Sequence, residues 1–175
     1  MENEKPLEIL VVDDRTENRM VAQEYFNTRT DVKVDFATSY SEGLQKLREG
    51  LYAIGIFDLE LPRMEGSEPE KLGFELAREA ERYMMPWAVI TTGIDHHNCK
   101  AAFVSYCWNG LIDPSEAVRN NHRRDIIREI TETPKTDPKC WQRVYETLIG
   151  NTPDIAELVA AREMKYRMLG KGLIK

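Results

Sequence analysis

Cysteine is scarce. Cys99, Cys107 and Cys140 are the three in 175 residues. They make an odd count with no C-x-x-C pair, which argues against a disulfide framework and fits a reducing compartment. No apolar run approaches the roughly 20 residues that span a bilayer. The opening MENEKPLEILVV lacks the basic start and the longer apolar stretch of a secretory signal. The expectation is therefore a cytoplasmic protein with no membrane partner. There is no internal repeat, no low-complexity tract, no glycine-rich phosphate loop and no nucleophile elbow. Positive charge is also in deficit, with 24 Lys and Arg against 30 Asp and Glu and a net charge of −6. The Arg-rich stretch 119–128 has neither aromatic interleaving nor a helix-turn-helix pattern, so nucleic acid is not expected as a partner. His96, His97, Cys99 and Cys107 fit no closed four-ligand zinc spacing, and a polar loop with a buried thiol is the default reading.

What is present suits a globular domain. Apolar residues make 42% and charged residues 31% of the chain, enough to build a core and too much for wholesale disorder. The charge is uneven. Residues 1–114 carry 12 Lys and Arg against 21 Asp and Glu, and residues 115–175 carry 12 against 9. The acidic part suits a divalent cation, while the basic part is most simply a solvated face.

The apolar pattern alternates between two periods. The run EILVV at 8–12 reads as a strand buried on both faces, the habit of a parallel sheet. Thr16 opens a helix to about Asn27, with Met20, Val21 and Tyr25 expected inside. Residues 32–37 read as a second strand. Ser39 and Glu42 form a capping box for a helix that Gly50 stops. Residues 52–59 form a buried strand carrying Asp58 near its end. Residues 62–69 are punctuation, and Ser67 with Glu70 reads as another capping box. The helix after it runs to about Tyr83. WAVITT at 87–92 is a fourth strand, a helix follows at about 97–108, and Leu111-Ile112 is a very short fifth strand. This alternation predicts an α/β fold with a parallel sheet covered on both sides. After Pro114 the pattern turns helical. Residues 115–130 read as a weakly amphipathic helix and 131–137 as a polar linker. Two more helices follow, one with Trp141, Val144, Tyr145 and Leu148 inside and one with Ile155, Leu158 and Val159 inside. The expected division is 1–130 for the α/β domain and 131–175 for a helical C-terminal extension.

The chemistry gathers at strand ends, where ligands of such sheets bind. Asp13 and Asp14 end the first strand and Asp58 the third. Hard oxygen donors in a cluster suit magnesium, and bringing three anions together without a cation is costly. Thr91 adds a hydroxyl at the next strand end. A carboxylate beside a metal and a hydroxyl is suited to receiving a phosphoryl group.

With ILVVDD at 9–14 and Asn18-Arg19 after it, YAIGIFDLELP at 52–62 and PWAVITTG at 86–93, the sequence resembles the response-regulator receiver domain over about residues 7–114. The resemblance implies a flavodoxin-like, doubly wound, five-stranded parallel sheet. It implies that Asp58 accepts phosphate from a histidine kinase or a phosphotransfer protein. Magnesium would be held by Asp13, Asp14, Asp58 and the backbone carbonyl of Glu60, with Thr91 as the switch hydroxyl. The output would be contact with a downstream protein target or a second copy of the chain. Such a protein would not be an enzyme beyond its own phosphorylation and dephosphorylation.

The sequence departs from the family pattern in three places. Receivers carry a lysine followed by proline at the end of the fifth strand. Spacing from Thr91 puts Asp113, followed by Pro114, at that position, with Lys100 as the nearest lysine. The aromatic residue three positions earlier is here Gly110, and Tyr106 and Trp108 nearby read as core. Residues 63–72 are longer than the usual connection and add Glu65, Glu68 and Glu70. These departures keep a rival reading open, a pseudo-receiver that binds a protein constitutively without phosphorylation. A third reading, a magnesium-dependent aspartyl-phosphate phosphatase, has Glu60 in its favour and Leu61-Pro62 against it.

Overall fold

The structure, a computed structural model, describes residues 5–83, 85–90, 135–151 and 155–168. Strands β1 (Leu7–Val12), β2 (Val32–Ala37), β3 (Ile54–Asp58) and β6 (Trp87–Ile90) form one sheet. Their order is β2-β1-β3-β6, and all pairs are parallel. Starting in the middle of the sheet and crossing to either side is doubly wound topology. The expected fifth strand at Leu111-Ile112 and the helices at 97–108 and 115–130 lie outside the described residues.

The pleat sends alternate residues to opposite faces. Leu10, Val12, Phe57 and Val89 join one core with Leu47, Phe74, Leu76, Ala77 and Ala80. These come from helices α2 (Tyr40–Glu49) and α3 (Gly73–Arg82). Ile9, Val11, Ile54, Ile56, Ala88 and Ile90 join the other core with Ala22, Phe26, Trp141, Val144, Tyr145 and Leu148. These come from α1 (Thr16–Asn27) and α4 (Pro138–Asn151). Both faces of the central strands are thus buried, which explains why EILVV is unbroken by polar residues.

Local signals hold with adjustments. The Ser39 side chain accepts from the Glu42 backbone N–H at 3.3 Å, and Glu42 reaches back to the Thr38 N–H at 2.8 Å. Thr16 is the first residue of α1 rather than its cap, and Met20 is 59% exposed, so the inner face falls on Asn18, Ala22 and Phe26. Asp137 caps α4 by accepting from the Lys139 N–H at 2.9 Å. Gly150 lies inside α4 and does not end it.

The segment after β3 departs most from expectation. Ser67 and Glu70 cap no helix. Residues Leu61–Pro62 (β4) and Pro69–Glu70 (β5) pair antiparallel into a small hairpin, and Ser67 closes its turn against the backbone of Met64. Gly66 takes φ +84° at the tip, a conformation glycine adopts without steric cost. The hairpin is tied to α2, because the Ser41 N–H and hydroxyl both donate to the Arg63 carbonyl, at 3.0 and 2.7 Å. The chain then returns to where it left, with the Gly73 N–H donating to the Leu59 carbonyl at 3.1 Å.

The C-terminal helices are not an appendage. Helix α4 supplies Trp141, the largest fully buried side chain among the described residues, and packs beside α1 over the sheet. Helix α5 (Ile155–Met168) adds Ile155 and Val159 to the same core. Arg162, 3% exposed, donates to the Tyr52 carbonyl just before β3. Among the described residues, α4 and α5 thus share one core with the sheet.

Candidate functional site

Register places the site. Val12 pairs with Phe57, so Asp13 and Asp58 emerge side by side at the carboxyl edge of the sheet. Asp58 in turn pairs with Ile90, which precedes Thr91 in the chain. Carboxylate oxygens of Asp13, Asp14 and Asp58 all lie within 4.8 Å of one another.

Each acid sits in a different setting. Asp13 is fully buried and held by four hydrogen bonds. Its Oδ1 accepts from the Arg15 N–H and from Asn18 Nδ2, both at 3.0 Å. Its Oδ2 accepts from Asn18 Nδ2 at 3.1 Å and from Lys135 Nζ at 2.8 Å. Arg19 Nη1 donates to the Asp13 carbonyl at 2.7 Å and fixes the turn into α1. Asp14 is half-buried at the rim. Asp58 is 7% exposed, and its Oδ2 lies 2.5 Å from Lys135 Nζ. Burial lifts the Asp58 carboxyl to a pKa of about 6 despite the ammonium, and the charges of Asp13 and Asp14 add to the rise. Burial pulls the Lys135 ammonium down, but the charges of Asp58 and Asp13 more than offset this, so its pKa stands above the ordinary lysine value.

Lys135 is the group that the sequence reading missed. Among the described residues, the cation beside Asp58 is Lys135; the expectation that Asp113 takes the usual lysine position falls on a residue that is not described. Asp113, Lys100, Thr91, Gly110 and the His96–Cys107 cluster lie outside the described residues. Lys135 itself stands in a turn just before α4 and is followed by Thr136, not by the proline that marks the usual lysine. A signal was nonetheless available. Helix α4 has the strongest apolar face in the tail, and reading it as the helix that closes the sheet puts the preceding turn at the strand ends. Asn18 belongs to the sequence motif, and its role of holding both Asp13 oxygens emerges only from the geometry.

The donor set fits a hard divalent cation. Three carboxylates against one ammonium leave two negative charges in excess, on oxygen donors only. Glu60, whose carbonyl was expected among the ligands, is exposed two residues beyond β3. The hairpin adds Glu65, Glu68 and Glu70 to the exposed surface after β3. No described helix is long and apolar enough to cross a membrane.

Comparison with known proteins agrees with this fold. The family model described as response regulator receiver domain matches residues 9–108. Lys135 and α4 fall beyond that match. A CheY-like receiver domain protein from Methanospirillum hungatei JF-1 is 20% identical, with a TM-score of 0.55 over 84% of this chain and 97% of that one. The response regulator domain of Thermotoga maritima CheB is 20% identical, with a TM-score of 0.50 over 89% of this chain and 98% of that one. At these identities the likeness shows the fold. No curated protein matches in sequence. With a family match over more than half of its length, the chain belongs to the response regulator receiver domain family.

Proposed function

We propose that the protein is a phosphoacceptor in a phosphorelay, taking a phosphoryl group on Asp58 and signalling through contact with a downstream protein. The observation that carries this reading is Lys135 Nζ, 2.8 Å from Asp13 and 2.5 Å from Asp58. The pseudo-receiver alternative rests on Asp113 at the usual lysine position and on Gly110 in place of an aromatic, and Lys135 weakens the first of these grounds.

Asp58 is the nucleophile. Its ordinary partner would be a phosphohistidine of a histidine kinase or phosphotransfer protein. One carboxylate oxygen attacks phosphorus in line, the P–N bond breaks, and the imidazole leaves with a proton taken from solvent. Asp58 must be ionised for this, and a pKa of about 6 leaves it mostly so at neutral pH. Lys135 is placed to hold a phosphoryl oxygen, exchanging its bond to Asp58 for one to the new group. Asp13, oriented by Asn18 and Arg15, and Asp14 would hold magnesium with Asp58 and the Glu60 carbonyl. Magnesium supplies charge neutralisation on the transferring group. Thr91, next in sequence after β6, is the proposed switch hydroxyl. Receiver domains are in general signalling modules rather than enzymes, and nothing in this role needs turnover of a separate substrate.

The test is incubation with acetyl phosphate and magnesium, read by intact-protein mass. One phosphoryl group per chain is expected, dependent on magnesium and absent in Asp58→Asn. No labelling under any condition, with magnesium still bound, would return the pseudo-receiver reading.

A further inference from the structure

Lys135 must be held in place, and no strand among the described residues does so. It lies in a turn, its side chain is 3% exposed, and its Nζ spans two carboxylates. One bond fixes its backbone from the core side. The Trp141 indole Nε1 donates to the Lys135 carbonyl at 2.7 Å, and both groups are buried. Trp141 is fully buried in the core cluster that also holds Ile9, Val11, Ile90 and Val144. A wide aromatic ring packed on all sides has little freedom, so its N–H is a fixed point. The six-residue span between donor and acceptor crosses the start of α4, where Asp137 holds the first turn through the Cys140 and Lys139 N–H groups.

The geometry points to Trp141 as the positioning residue of the site: its indole N–H sets the Lys135 backbone, and through it the ammonium that meets Asp13 and Asp58. This rests on the phosphoacceptor reading for its consequence, and on the bond alone for its geometry. A tryptophan in this role couples the site to the packing of α4 on the sheet. Loosening that packing loosens the lysine.

The experiment is a double-mutant cycle on beryllofluoride affinity in the presence of magnesium. Beryllofluoride on an aspartate imitates the acyl phosphate. The variants are Trp141→Phe, Lys135→Met and both together. In the native background Trp141→Phe should weaken beryllofluoride by about tenfold, the effect expected from losing one buried hydrogen bond to a group that must stay placed. In the Lys135→Met background the same change should have no effect, because the lysine it positions is gone. Equal weakening in both backgrounds would assign Trp141 a merely structural role and overturn the inference, as would unchanged affinity in the native background. If Trp141→Phe fails to fold, benzothienylalanine at position 141 keeps the ring shape and removes only the N–H. The second readout is the NMR signal of the Lys135 ammonium in the metal-free protein. Held between two buried carboxylates, it should exchange slowly with water in the native chain and rapidly once the indole N–H is lost. If the native protein binds no beryllofluoride, the phosphoacceptor reading falls, and the ammonium signal alone decides the positioning role. An ammonium signal unchanged by loss of the N–H overturns it.

Discussion

Lys135 Nζ stands 2.5 Å from Asp58 Oδ2, with both side chains sheltered from solvent. The ammonium is the cation that balances this carboxylate, and it also meets Asp13 at 2.8 Å. Lys135→Met removes that charge and leaves Asp58 without its ammonium partner. Breaking a buried pair from one side costs about 3–5 kcal/mol. The variant should lose that much stability without metal in urea unfolding. Magnesium should restore most of it, so its stabilising effect should exceed that in the native protein.

Gly73 is where α3 touches the end of β3. A Cβ there would lie 2.1 Å from the Asp58 carbonyl oxygen, too close for any adjustment short of moving backbone. Gly73→Ala should destabilise by about 3 kcal/mol, the upper range for overpacking, and slow phosphorylation from acetyl phosphate by displacing Asp58. Gly66→Ala strains only an exposed tip and should cost about 1 kcal/mol, with phosphorylation unchanged. Thermal melts and labelling rates on the two variants separate the effects.

The pH dependence follows from Asp58. Its carboxyl, raised by burial to about 6, binds a proton more tightly in the folded chain than in the unfolded one. A raised acid contributes stability below the ordinary carboxylate pKa and loses it as pH rises through its folded value. The metal-free protein should therefore lose stability between about pH 4 and about pH 7 from this group, and Asp58→Asn should flatten that slope. Asp35 acts in the opposite sense. Burial raises it, but hydrogen bonds from Lys46 and Tyr52 more than offset this and hold it below its ordinary value. Its contribution is lost only as pH falls through that lower range. Urea titrations across the pH series, native against Asp58→Asn, give the slope directly.

Helix α4 covers one face of the sheet. A chain ending at residue 130 would leave Ile9, Val11, Ile54 and Ile56 without Trp141, Val144, Tyr145 and Leu148. It should keep helical signal in the far ultraviolet and lose its near-ultraviolet bands, as a loosely packed state does. A chain ending at residue 151 keeps α4 and should unfold cooperatively. It loses the burial of Ile155, worth about 1.5–3 kcal/mol, and the Arg162 contact.

Much of this was legible in the residues, for physical reasons that differ by place. EILVV could only be a doubly buried strand, and a doubly buried central strand delivers Asp13 and Asp14 to the site edge. YAIGIFDL does the same for Asp58. The lysine is legible only indirectly, through the apolar face of α4, because its own neighbours carry no apolar pattern. Residues 131–137 read as a polar linker, and a side chain that works from a turn leaves no periodic trace. Hydropathy points Met20 inward because α1 has apolar residues on more than one face, and it passes over Asn18, whose burial depends on Asp13. The hairpin after β3 was hidden by Ser67 and Glu70, whose spacing imitates a helix start.

That hairpin departs from the Leu59 carbonyl and comes back to it through the Gly73 N–H. An excursion whose two feet meet is closed before its contents matter, and lengthening such a loop costs little, about 0.6 kcal/mol for each doubling. The tip around Gly66 is thus a graft point. A reporter peptide or a small fluorescent label could be inserted there and would ride a few residues from Asp58, anchored by Ser41, while the strand and helix on either side keep their places.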